Sequence, residues 1–80
     1  MNYRKPNNEY TNDPDEYANA WVDLGNKLCI ALGDGWKIHG IDPGISLFQI
    51  LHNGAWRTIN FDVDIAERII ELYNKGEKIK

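Results

Sequence analysis

The side chains able to do chemistry are few and lie far apart in the chain. There are two histidines, His39 and His52, and one cysteine, Cys29. Carboxylates cluster at Asp13, Asp15 and Glu16 and again at Asp62 and Asp64. A zinc site needs three or four ligands at compact spacing, and neither C-x-x-C nor H-x-x-x-H occurs. No metal and no cofactor are therefore expected. A Cys29–His39 nucleophile pair would need an electropositive, accessible thiolate. Cys29 instead sits among Leu28, Ile30 and Leu32, the setting of a small core residue. Each carboxylate cluster falls at a helix start, where capping already explains it. Acid–base work would need a carboxylate in a cleft with a shifted pKa. No G-x-x-x-x-G-K-[ST] loop is present to hold a phosphate. No catalytic residue is expected, and the chain reads as a non-enzyme.

Eighty residues make one domain with room for one layer of helix against one sheet. The formal charge of −3 and pI near 5.2 argue against a general nucleic-acid binder, which needs a basic stripe. One cysteine excludes an internal disulfide framework and fits a reducing compartment. No signal segment opens the chain, and no apolar run approaches the roughly 20 residues of a membrane span. The expectation is a cytoplasmic protein, in the cell that makes it or in a host, with no membrane partner.

Residues 1–12 are polar, Asn-rich and interrupted by Pro6, and they read as a flexible arm, the alternative being an extended segment that docks through Tyr3 or Tyr10. Asp13-Pro14-Asp15-Glu16 then gives an N-cap, a proline at the first helical position and a glutamate placed to close a capping box. Tyr17, Trp21, Leu24, Leu28 and Ala31 recur at helical spacing up to Gly33, a natural stop. Gly25 interrupts this stripe at a cost of about 1 kcal/mol relative to Ala, which a close approach to the sheet would explain. A second helix starts near Asp62 and runs to about Lys75, with Ala66, Ile69, Ile70 and Tyr73 in one stripe. Residues 77–80 read as a polar tail, so the folded domain spans 13–76.

Between the helices lies a three-stranded meander. Asn53-Gly54 separates two runs rich in β-branched and aromatic residues, a strong hairpin signal that predicts a two-residue type I′ turn. Asp42-Pro43-Gly44 predicts a type II turn after the strand that begins at Trp36. On these registers Trp36, Ile38, Ile45, Leu47, Leu51 and Trp56 share the core face. Phe48, Ile50 and Ile59 share the other face with Lys37, His39 and Arg57. The fold class is thus α+β, a two-layer α-β-β-β-α domain in which two helices pack a three-stranded antiparallel meander.

The second sheet face is too apolar for plain solvent exposure. Phe48, Ile50, Ile59, Lys37, His39 and Arg57 are the expected partner-binding residues, and the partner is another protein or a second copy of the chain. The leading expectation is a small non-catalytic binding or regulatory module, of the accessory or inhibitor kind found in phages and mobile elements. The alternative is a nucleic-acid-binding module in which Lys37, His39, Arg57 and Phe48 hold a single strand. In size, acidity and two-layer plan the chain is similar to many small phage-encoded proteins, including some anti-CRISPR inhibitors; the likeness is one of form and carries no residue assignment.

Overall fold

The computed structural model describes residues 2–76; the expected polar tail at 77–80 lies outside the described residues. Two short strands, β1 (Tyr3–Arg4) and β2 (Tyr10–Thr11), flank a tight turn at Pro6–Asn8, in which Asn7 and Asn8 take positive φ. Helix α1 (Pro14–Leu32), strands β3 (Trp36–Asp42), β4 (Leu47–His52) and β5 (Ile59–Asp62), and helix α2 (Val63–Asn74) follow. The large sheet is an antiparallel meander in the order β3-β4-β5. The expected α+β plan is the observed one.

The helix ends follow from local chemistry. The Asp13 carboxylate caps α1 by accepting from the Asp15 N–H at 2.9 Å, with Pro14 at the first helical position. Glu16 does not close the expected capping box but accepts from Lys5 Nζ at 2.8 Å. That contact holds the Glu16 carboxyl below its usual range and raises the Lys5 ammonium above its own. Asp62 caps α2 by accepting from the Ile65 N–H at 2.9 Å. Gly33, at φ +112°, ends α1.

The buried core is Trp21, Leu28, Phe48, Ile50 and Ala66. Both helices and the central strand contribute to it. Gly25 is buried where α1 meets the sheet, and a Cβ there would stand 2.8 Å from Ile38 Cδ1. The glycine is what lets the helix approach so closely.

The expected face assignment is inverted. Phe48 and Ile50 are fully buried beneath the helices, while Trp56 is 82% exposed and Ile45 65% exposed. The cause is a bulge in β3. Ile38 pairs Ile50, yet Gly40 pairs Gln49, so His39 and Gly40 together oppose one residue. This single-residue slip moves Trp36 and Ile38 to the face of Phe48 and Ile50. That face then gathers Trp36, Ile38, Ile41, Phe48, Ile50, Ile59 and Phe61. The opposite face keeps only Leu47 and Leu51, among Lys37, Gln49 and Asn60. Burying the richer face removes far more apolar surface from water, and the helices cover that one.

Both turns differ from expectation. The β3–β4 connection is four residues long, Pro43 to Ser46, and the positive φ falls on Ser46 (+53°) rather than Gly44. Between β4 and β5 the Asn53-Gly54 turn forms, with the Ala55 N–H donating to the His52 carbonyl at 2.8 Å. Only Gly54 has positive φ there, so the turn is not type I′, which needs it at both positions. The ladder resumes at Ile50–Ile59. Residues 53–58 therefore make a six-residue loop.

The first dozen residues do not form a loose arm along their described length. The hairpin of β1 and β2 is docked: Pro6 is buried, and the Tyr3 and Tyr17 rings lie 4.9 Å apart. The Trp21 indole N–H donates to the Arg4 carbonyl at 2.9 Å. The Arg4 guanidinium donates to the Pro43 carbonyl and to Ser46 Oγ. Buried Trp21 thus has its polar atom satisfied, as such residues require.

Candidate functional site

The loop of residues 53–58 is anchored at its base and free at its tip. At the base, the Asn53 N–H donates to the Gly35 carbonyl at 2.6 Å. Gly35, at φ +87°, sits so close that a Cβ would meet Asn53 Cβ at 2.9 Å. Beside it the His52 ring stacks against Trp36 with centroids 4.5 Å apart. Trp36 in turn meets Phe61 edge-on, which ties the loop base to the core. From this footing the chain bows outward, and residues 53–57 are all exposed.

At the tip Trp56 lies under the Arg57 guanidinium, whose Cζ stands 4.3 Å from the ring centroid. The pair forms a flat apolar plate with a cation on one side. Trp56 is the most exposed of the large apolar residues described. Sequence reasoning missed it because the Asn-Gly signal placed Trp56 inside a strand, opposite Leu51. The six-residue loop takes it out of the ladder.

The loop adjoins the sheet face that neither helix covers. The Cα trace is only 17 Å deep in its shortest direction, which leaves room for one helix layer and one sheet. Leu47 and Leu51 are half-buried on this open face and stand outside the core cluster. Lys37, paired with Leu51, is exposed there, as is Asn60 opposite Gln49.

The six residues expected to bind a partner do not form one surface. Phe48 and Ile50 are in the core and face no solvent. Ile59 lies on their side of the sheet, 45% exposed on the edge strand. Lys37 is on the opposite face, His39 is exposed at the bulge, and Arg57 is in the loop. Of the six, Lys37 lies on the open face and Arg57 beside Trp56.

A second concavity runs between α1 and α2, a groove of about 700 Å³. Leu24, Ile30, Ile70 and Tyr73 supply its apolar walls, and Glu67 and Glu71 line it from α2. Partial burial, reinforced by the charge of Asp64, pushes the Glu67 carboxyl above its ordinary range. Burial also raises the Cys29 thiol, which disfavours the nucleophilic thiolate.

Among the described residues no group of three or more His, Cys, Asp or Glu side chains could hold a metal ion. No helix among them is long and apolar enough to cross a membrane. The chain matches no protein-family profile, no curated protein and no solved structure.

Proposed function

We propose that this chain is a small non-catalytic protein-binding module, with the Trp56–Arg57 loop and the adjoining open sheet face as its contact surface. The reading rests on one observation: Trp56 is 82% exposed on a loop whose base is fixed by hydrogen bonding and ring stacking. Trp and Arg dominate the energetics of protein interfaces, where a rigid aromatic fills a pocket on the partner. A loop held at its base loses little conformational entropy on binding. Leu47 and Leu51 extend the apolar surface along the open face, and Lys37 and Arg57 add electrostatic steering. The single-strand alternative loses its stacking platform, because Phe48 is fully buried.

The test places a photo-reactive amino acid at exposed Ala55 and irradiates the protein in lysate of the source cell. A cross-linked protein, once purified, should bind the wild type and lose at least tenfold in affinity for Trp56→Ala, which is about 1.4 kcal/mol. Equal affinity for wild type and Trp56→Ala would refute the reading. A parallel titration uses labelled single-stranded oligonucleotides at two salt concentrations. Tight binding that weakens steeply with salt would replace the protein-binding reading with the nucleic-acid one.

A further inference from the structure

We propose that the groove between α1 and α2 receives the Trp56–Arg57 loop of a second copy of this chain. The proposal rests on the reading of that loop as a contact surface, and it names the partner. Two unsatisfied features of the same molecule complement each other. The loop offers one exposed indole with one guanidinium 4.3 Å from its ring. The groove offers apolar walls and carboxylates.

The charges in the groove favour this occupant. Lys27 is paired with Asp23 at 3.1 Å, and Lys75 with Glu71 at 2.9 Å, so both lining cations are already neutralised. Glu67 lines the groove with no ion-pair partner among the described residues, and Asp64 adds negative charge one turn earlier. An incoming cation finds one uncompensated carboxylate, and an incoming indole finds Ile30 and Tyr73, which are 61% and 52% exposed. A volume of about 700 Å³ falls within the roughly 300–1,000 Å³ of sites that enclose a ligand. It is ample for an indole and a guanidinium together. Trp56 does not line its own groove.

The contact joins two unlike surfaces, so each copy presents both a loop and a groove. Its area is that of one aromatic anchor, roughly 150–250 Å² on the loop side. That is far below a standard interface, so association belongs to the weak class, on the order of 0.1–1 mM.

Sedimentation velocity from dilute to about millimolar protein tests this. The wild type should gain in weight-average sedimentation coefficient as concentration rises. Trp56→Ala, which lacks the loop anchor, and Ile30→Glu, which spoils the groove wall, should each stay monomeric with unchanged circular dichroism. An equimolar mixture of the two should associate again, because the first still has an intact groove and the second an intact loop. A wild type that stays monomeric throughout would overturn the proposal. So would a mixture that fails to associate, or a Trp56→Ala variant that assembles like the wild type. A monomeric wild type that still captures a different protein through Trp56 removes the second copy as partner and leaves the protein-binding reading standing. Loss of both removes the reading as well.

Discussion

Replacing Trp56 and Phe48 in turn measures which side of the sheet is the core. Phe48 has no exposed surface and stacks beside Trp21 at 5.9 Å between ring centroids. A buried Phe removes roughly 150–250 Å² from water, worth about 4–6 kcal/mol by area. Truncating such a residue to Ala costs about 3–5 kcal/mol. A domain of this size holds only about 3–5 kcal/mol in total, so Phe48→Ala is expected to be largely unfolded. Phe48→Leu keeps part of the volume and should cost about 1–3 kcal/mol. Trp56, at 82% exposure, covers less than a fifth of its surface. That is roughly 45 Å², or about 1 kcal/mol as an upper bound. The exposed stacking of Arg57 adds about 0.5–1 kcal/mol. Trp56→Ala should therefore cost about 1–2 kcal/mol. Urea unfolding followed by far-ultraviolet circular dichroism gives both values. With a slope near 1 kcal/mol/M, the midpoint should fall by about 1–2 M for Trp56→Ala and by about 1–3 M for Phe48→Leu. A Trp56→Ala variant that loses more than Phe48→Leu would refute the face assignment.

Three further outcomes follow from particular residues. Gly25→Val should cost about 1–3 kcal/mol, because its Cβ would push the Ile38 side-chain tip from 2.8 Å and stand 3.4 Å from buried Phe48, and the branched carbons overpack further; an unchanged thermal midpoint would mean that α1 does not approach the sheet this closely. Gly54→Val should cost about 1–3 kcal/mol in thermal melts, because φ there is +82° and a β-branched residue resists it. Glu67→Gln should raise the melting temperature near pH 7, and the gain should vanish towards pH 4. The sign follows from the raised pKa of Glu67: the fold binds its proton more tightly than the unfolded chain does, so ionisation destabilises above the folded pKa and has no effect below the unfolded one. A variant equally stabilised at both pH values would show that the effect is not electrostatic.

The parts of the fold that depend on neighbouring residues were legible in the sequence. Asp13-Pro14 and Asp62 mark the helix starts because capping needs only a side-chain oxygen and the next few N–H groups. The glycine at 25 pointed to close helix–sheet packing, and the stripe of Tyr17, Trp21, Leu24 and Leu28 to the face that packs. What escaped was set by competition across the sheet. One bulged residue at His39 exchanges the two faces of the first half of β3, and its one local mark is Gly40 inside the strand. The choice between the faces then depends on the summed apolar area of three strands. The same limit hid the candidate site. Asn53-Gly54 does turn the chain, but the pairing of Ile50 with Ile59 decides that Trp56 lies outside the ladder. The docked N-terminal hairpin was legible only as an alternative, through Tyr3 or Tyr10, because the bonds of Arg4 reach Trp21, Pro43 and Ser46, remote in the chain.

That docking has a kinetic consequence. Arg4 reaches Ser46 across 42 positions of sequence, and its acceptors are arranged only once the β3–β4 turn has closed around Ser46. The clasp therefore belongs after the rate-limiting barrier, when helices and meander have already met. Arg4→Ala should speed unfolding several-fold in stopped-flow measurements while leaving the refolding rate nearly unchanged. A matching slowdown of refolding would place the hairpin in the nucleus instead. On this account the first dozen residues set how long the folded state lasts and have little part in how fast it forms.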